Sequence, residues 1–223
     1  MNLFTKGANK KLGQNVFAFN LPVFKTCPGR TPTCCAVCYS GQGYAGYHRK
    51  RYAANLAISR TSDFAPRAID ELVSRHALFC RPHVAGDYYS AEYVRKWIEI
   101  ASTLPHVRFW AYTRSWRSPR ILPELERLAA LPNFRLWFSA DRDSPAPPKV
   151  DRVKVCWLLA GNELPPRGVD LVFTTRYPIA PSLVKSKAPR IPQPEIGGVA
   201  VCPHYGGADA TKLPCETCQL CIN

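Results

Sequence analysis

The chain has 223 residues, of which 30 are Lys or Arg and 16 are Asp or Glu, and its formal charge is +14. Hydrophobic residues make up 46%, which is ordinary for one packed globular domain. No apolar run approaches the roughly 18 residues of a membrane-spanning helix, and the amino terminus lacks the apolar segment of a secretory signal. We therefore expect a cytoplasmic protein that does not enter a membrane.

The ten cysteines are concentrated in two short segments, four within residues 27–38 and four within residues 202–221. In a reducing cytosol such groups indicate metal sites or redox centres rather than disulfides. The other two, Cys80 and Cys156, lie in apolar strand runs, so we expect them to be buried free thiols.

Apolar runs of β type alternate with helical segments along the chain, which favours a parallel sheet covered by helices. The segment with the first four cysteines, residues 25–40, is called the cysteine loop below and follows the first strand directly. The predicted strands are 15–20, 80–85, 107–113, 134–140, 153–159 and 171–175, and the predicted helices are about 50–79, broken near 61–66, then 90–104, and one opened by Ser118 and Pro119.

The last two crossovers, 142–152 and 161–170, are close to the lower limit for a βαβ unit. The predicted fold is therefore α/β, a six-stranded and partly open βα barrel over residues 1–195. Residues 196–223 form a cysteine-rich tail that packs on the same domain.

Three strands end in hydroxyl residues followed by an arginine, namely Arg114, Arg142 and Arg176. The carboxyl ends of all strands of a βα barrel open on one face, so these arginines are predicted to converge there. They either bind a shared anionic ligand or only solvate the rim.

In the tail, Cys202 is followed by Cys215, Cys218 and Cys221. Three cysteines at this spacing with a fourth nearby resemble the ligands of ferredoxin-type [4Fe–4S] sites. The same spacing permits a structural zinc ion with four cysteine ligands.

In the amino-terminal loop, Cys27 and Cys38 are joined by either Cys34 or Cys35, of which Cys34 is the preferred ligand. Three thiolates suffice to hold a [4Fe–4S] cluster while one iron stays open to a ligand. A fourth cysteine could instead close the site.

A cysteine trio after the first strand, with Gly86 and Asp87 after the second, resembles the radical S-adenosylmethionine (radical SAM) core. The cysteine spacing, C-x6-C-x3-C or C-x7-C-x2-C, differs from that superfamily's usual C-x3-C-x2-C loop. The resemblance implies a [4Fe–4S] cluster at the trio and SAM beside it. The residues that it implies at the cofactor are Gly86, Asp87, Ser139 and the strand-end Arg114, Arg142 and Arg176.

Nearly the whole chain also resembles the gene product 88 family of phage and plasmid proteins. That family carries a Cys-Pro-Gly…Cys…Cys-Tyr segment, a Tyr-Thr-Arg strand end and a cysteine-rich tail. Here these are Cys27-Pro28-Gly29, Cys34, Cys38-Tyr39, Tyr112-Thr113-Arg114 and the four tail cysteines. The resemblance implies a radical-SAM-like iron–sulfur protein, encoded by a phage or plasmid and located in the host cytoplasm.

The charge remains about +11 if both cysteine groups hold [4Fe–4S] clusters. Basic residues mixed with aromatics over 47–52 and 108–120 suit DNA or RNA binding, although a solvated basic face has the same composition. Three functions follow from the sequence: a radical SAM enzyme acting on nucleic acid or a nucleotide, a nucleic-acid-binding module stabilised by iron–sulfur or zinc, and electron transfer to a redox partner.

Overall fold

The computed structural model describes residues 2–7, 11–38, 40–41, 44–160, 163–174, 195–202 and 214–223. Its strands are β1 (Thr5–Lys6), β2 (Val16–Phe19), β3 (Phe79–Pro82), β4 (Arg108–Thr113), β5 (Phe134–Ala140), β6 (Lys154–Leu159), β7 (Leu171–Thr174), β8 (Glu195–Ile196) and β9 (Val199–Ala200). Its α-helices are α1 (Pro32–Ala36), α2 (Tyr44–Ser59), α3 (Phe64–Ser74), α4 (Ala91–Thr103), α5 (Leu122–Ala129) and α6 (Cys215–Cys218).

Strands β1 to β7 form one sheet, in which they lie in the order of the chain. β2 to β7 run parallel, and β1 pairs antiparallel with β2. The carboxyl ends of β2 to β7 therefore meet along one side of the sheet, called the carboxyl edge below. Within the described residues, no pairing between the first and last strands closes this sheet into a barrel.

Helices α3, α4 and α5 share one buried apolar cluster with alternate residues of the strands. Ser90 caps the start of α4, as predicted. Its hydroxyl accepts a hydrogen bond of 3.2 Å from the Tyr93 amide and so satisfies one of the free amides of the first turn. The centre of this cluster is fully buried and includes Phe19 of β2 and Trp97 of α4. Among the described helices, none is long and apolar enough to cross a bilayer.

A second buried cluster, called the inner face below, joins the remaining strand residues to the end of the chain. It contains Trp110, Trp137 and Cys156 from the sheet, together with Cys202 and Cys221. The Trp137 indole donates a hydrogen bond of 3.0 Å to the Cys221 carbonyl, and the Cys202 amide donates one of 2.9 Å to the Val172 carbonyl of β7. The described part of the tail therefore packs on the sheet.

All six predicted strands form within a few residues of their predicted limits, and β5 matches its prediction. β1 was not predicted, because two residues carry no alternating pattern. α2 begins at Tyr44 rather than near Lys50, and α5 begins at Leu122 because residues 118–121 form a turn. Thr175, the last residue of the sixth predicted strand, lies outside the described residues. Cys80 and Cys156 are buried free thiols, as predicted.

Candidate functional site

The cysteine loop follows β2 and is fastened to the end of β5. Thr31 caps α1, since its hydroxyl accepts a hydrogen bond of 3.0 Å from the Cys34 amide. The same hydroxyl donates a hydrogen bond of 2.6 Å to Asp141 Oδ2. Asp141 is the first residue after β5 and is fully buried. Thr31 therefore both caps α1, called the cysteine helix below because it contains Cys34 and Cys35, and attaches this helix to the carboxyl edge.

Arg114, the first residue after β4, also reaches Asp141. Its Nη1 lies 2.6 Å from Asp141 Oδ2 in a buried ion pair. The backbone of the loop touches β4 as well, because a Cβ at Gly29 would collide with the Arg114 carbonyl oxygen. The cysteine loop thus packs against the ends of β4 and β5.

Two further residues after β5 hold the loop from its outer side. Asp143 Oδ2 accepts a hydrogen bond of 2.7 Å from the Thr33 amide. Arg142 Nε donates one of 3.4 Å to the Thr33 hydroxyl, and its Nη1 reaches the Ala160 carbonyl at 3.4 Å. The predicted rim arginines Arg114 and Arg142 therefore do come together around this loop, whereas Arg176 lies outside the described residues.

Asp87 lies after β3 and is buried beside the loop. It accepts hydrogen bonds from the Thr113 hydroxyl at 2.6 Å, the Arg114 amide at 2.9 Å and the Tyr88 amide at 2.7 Å. Burial raises the pKa of its carboxyl group, and these hydrogen bonds oppose that rise. Asp87 joins the ends of β3 and β4, and its predicted contact with SAM stays a prediction.

Gly86 is needed for the close approach of the same loop. Its φ is +83°, and a Cβ there would lie 2.6 Å from the Leu21 side chain and 2.7 Å from the Thr26 hydroxyl. Only glycine adopts this conformation at little cost. Gly86 therefore lets the segment after β3 press against the start of the cysteine loop.

Cys27, Cys34 and Cys38 are close enough to influence one another electrostatically. The pKa of the Cys27 thiol is raised to about 12, chiefly by burial and in smaller part by Asp87, Cys34 and Cys38. Burial likewise raises the pKa of Cys34, where Arg114 acts in the opposite direction and Cys38 adds to the rise. The thiols that act on Cys27 are those of Cys34 and Cys38, and Cys35 in turn acts on both of these.

Ser139 lies beside Cys156 of the inner face of the sheet, and its predicted contact with SAM stays a prediction. It pairs with Cys156 across β5 and β6, and a hydrogen bond from its side chain lowers the pKa of the Cys156 thiol, which burial raises to about 12. Arg114 and Cys221 also act on that pKa. Cys156 therefore lies in the cluster that contains the tail residues Cys202 and Cys221.

The four tail cysteines also lie near one another. Burial raises the pKa of Cys215, and Cys202 and Cys218 add to that rise. The pKa of Cys221 is raised to about 11, chiefly by burial and in smaller part by Cys202 and Cys215. The Cys215 amide donates a hydrogen bond of 2.7 Å to the Lys11 carbonyl just before β2. Within the described part of the chain, no three His, Cys, Asp or Glu side chains are arranged to hold a single metal ion.

Sequence reasoning missed the acidic residues that hold the loop, Asp141 and Asp143, and the capping Thr31. Each had a signal in the sequence. Thr31 followed by Pro32 is a helix start, and Asp141 and Asp143 surround Arg142 at the end of a strand, where sites are built.

Comparison with known proteins places the chain in a phage family. The Gene 88 protein of Mycobacterium phage D29 is 27% identical over an alignment that covers 98% of this chain and 88% of the relative. The Gene 88 protein of Mycobacterium phage L5 is 26% identical, with 98% and 87% covered. No solved structure matches the chain. The family model described as Gene product 88 matches residues 2–223, and the chain therefore belongs to the gene product 88 family.

Proposed function

We propose that this protein is an iron–sulfur enzyme of radical SAM type, in which Cys27, Cys34 and Cys38 hold a [4Fe–4S] cluster. The observation that carries the proposal is that these three cysteines lie in one loop at the carboxyl edge of a parallel sheet, where the thiols of Cys34 and Cys38 both act on Cys27. This edge is where α/β proteins of this kind build their sites. Three thiolate ligands leave one iron of such a cluster open.

The chemistry of this group of side chains suits a cluster. Without metal, buried thiols close to one another and to Asp87 resist ionisation. Iron binding would reverse this preference, because a coordinating thiol binds as the thiolate and releases its proton to solvent. Burial raises the pKa of Cys34 and Arg114 opposes that rise, so the Arg114 charge would offset part of the negative charge that three thiolates bring to the site.

The surrounding residues hold the loop in place for that role. Thr31, Asp141 and Arg114 fix the cysteine helix to the ends of β4 and β5. Asp87 joins the end of β3 to the end of β4, and its charge acts on the Cys27 thiol. A bound cluster, once reduced by an external electron donor, would supply the electron for reductive cleavage of SAM, and these residues would keep its cysteine ligands in place.

The tail cysteines form the second site of the proposal. Cys202, Cys215, Cys218 and Cys221 would hold an auxiliary cluster with no open iron, since four thiolates complete its coordination. Two of them are buried against the inner face of the sheet. Metal bound there stabilises the fold, because the ligands are not held together in the unfolded chain.

The first experiment is the iron and acid-labile sulfide content of protein purified without oxygen. About eight irons per chain are expected, four for each cluster. The EPR spectrum of the reduced protein is then recorded with and without SAM, and SAM is expected to change the signal of the cluster with the open iron. About four irons with no response to SAM would leave an iron–sulfur protein without the enzyme activity, and zinc without sulfide would overturn the proposal.

Matched cysteine variants separate the ligands from their neighbours. Cys34→Ser is expected to lower the iron content from about eight to about four and to abolish the response to SAM. Cys35→Ser, its neighbour in the same helix, is the control and should retain both. If the two variants lose iron equally, the assignment of Cys34 is wrong.

A further inference from the structure

An exposed aromatic residue stands beside the cysteine loop in a strained backbone conformation. Phe24 has a φ of +64°, which is unfavourable for a bulky residue. Its side chain is 40% exposed, and it is the aromatic member of the exposed large hydrophobic residues in the described part of the chain. Strain of this kind is kept where a function needs it.

The ring of Phe24 is held in a defined position. Its edge packs so closely on Gly41 that a Cβ at residue 41 would collide with it. The Phe24 carbonyl accepts hydrogen bonds from Arg30 Nη1 at 3.0 Å and from the Cys27 amide at 3.4 Å. The turn that presents the ring to solvent is therefore tied to the first cysteine of the trio.

Exposed basic side chains lie on the loop that carries this ring or contact that loop. They are Lys25, Arg30, Arg117 and Arg142, called the basic rim below. Arg117 Nη1 donates to the Gly29 carbonyl at 3.1 Å and to the Arg30 carbonyl at 3.3 Å, and Arg30 also reaches the Cys27 carbonyl at 3.2 Å. Each arginine has five N–H donors, so these contacts place the guanidinium groups on the loop and leave donors for an anionic ligand.

The acidic residues near the rim do not cancel its charge. Asp87 and Asp141 are buried and bonded to neighbouring residues. Asp143 is exposed and accepts the Thr33 amide. Four basic side chains thus face one exposed carboxylate among these residues, on a chain whose formal charge is +14.

From this arrangement we infer that single-stranded nucleic acid binds across the basic rim, with one base stacked on Phe24 and backbone phosphates on Lys25 and the three arginines. Single strands bind proteins through aromatic platforms next to basic side chains. A base on Phe24 would lie beside the cysteine loop. The inference rests on the proposed function in that it names the substrate class of the same site.

The test is fluorescence anisotropy of the full-length protein with single-stranded oligothymidine and oligouridine of about 16 nucleotides. Phe24→Ala is expected to weaken binding by about 5- to 150-fold, the range measured for loss of one stacked base. Phe24→Trp keeps the platform and should bind like the parent. Leu78→Ala is the matched control, since Leu78 is 59% exposed and precedes β3 at the opposite edge of the sheet.

A second pair of variants tests the phosphate contacts. Lys25→Ala should reduce the slope of log affinity against log salt concentration by about 0.7. Arg67→Ala removes the same charge from an exposed position of α3 and should change the slope much less. Equal effects of the two charge variants, no effect of Phe24→Ala, or equally tight binding of a duplex would each overturn the inference.

The two oligonucleotides also distinguish DNA from RNA as the ligand. Tighter binding of oligouridine identifies RNA, and tighter binding of oligothymidine identifies DNA. Iron content is measured on the same preparations. Loaded protein that binds no oligonucleotide would overturn this inference alone, whereas iron-free protein that binds with the expected Phe24 dependence would overturn the proposed function alone.

Discussion

Arg114 and Asp141 form a buried ion pair, with 2.6 Å between Arg114 Nη1 and Asp141 Oδ2. The same carboxylate oxygen accepts the Thr31 hydroxyl at 2.6 Å. A single oxygen atom therefore joins the end of β4, the end of β5 and the cysteine helix. This junction fastens the start of α1 to the carboxyl edge of the sheet.

Removing the charge of Asp141 should destabilise the protein strongly. Asp141→Asn leaves the buried Arg114 without its counter-ion, which costs about 3–5 kcal/mol in comparable buried pairs. The free energy of unfolding in urea measures this loss. The control is Arg127→Ala, which breaks an exposed pair with Glu124 and should cost less than about 1 kcal/mol. A loss of unfolding free energy in Asp141→Asn as small as that in Arg127→Ala would show that the junction is not structurally important.

The strand and helix pattern was predictable because alternating and helical periodicities are local properties of the sequence. β5 and the capped α4 are the clearest cases. The proline pair around α5 was misleading: the helix begins at Leu122, with Pro123 in its first turn, while Pro119 lies in the preceding turn.

The long-range contacts of the site were not predictable in the same way. Thr31 and Asp141 are 110 residues apart in the chain, and no local pattern indicates that they meet. Because the carboxyl ends of parallel strands meet on one side of a sheet, the sequence correctly placed Arg114 and Arg142 at the carboxyl edge. It could not show that Arg114 is occupied by Asp141, because that pairing depends on how the loop folds over the edge.

Glycine 86 offers a test of close packing that separates steric from conformational costs. Gly86→Ala should destabilise the protein by more than Gly168→Ala. Both glycines have a positive φ, +83° and +84°, so both variants carry the cost of about 1–2 kcal/mol for a left-handed alanine. A Cβ at Gly86 also meets Leu21 and Thr26, whereas nothing lies within 4 Å at Gly168. Thermal unfolding compares the two, and equal shifts would contradict the packing argument.

Glu216 attaches the tail to the segment before β2. Its two carboxylate oxygens accept the amides of Gln14 at 3.0 Å and Asn15 at 2.8 Å. Glu216→Ala should therefore speed hydrogen exchange at these two amides and lower the free energy of unfolding by about 1 kcal/mol, since the site is exposed. Glu126→Ala, at an exposed position of α5, is the control and should leave both amides unchanged. Unaltered exchange in the Glu216 variant would show that the tail is held elsewhere.

His83 makes the stability of the fold depend on pH. Burial, with a contribution from Arg81, lowers the pKa of His83 to about 3, and its Nε2 lies 2.9 Å from the Tyr93 hydroxyl. Unfolded histidine has a pKa of about 6.5, so as the pH falls below that value the unfolded chain binds a proton that the folded protein refuses. This contribution to stability is complete above about pH 6.5 and is lost at about 1.4 kcal/mol per pH unit between pH 6.5 and 3.

The measurement is the free energy of unfolding in urea at several pH values between about 7 and 5, where this histidine dominates the expected slope. His83→Gln removes the titrating group and keeps a side chain that can reach Tyr93, so its curve should be flatter by about one proton. His106→Gln removes an exposed histidine and should keep the parent slope. Because the left-handed backbone at His83, with a φ of +61°, shifts the whole curve rather than its slope, an unchanged slope in His83→Gln would show that His83 is protonated in the folded protein.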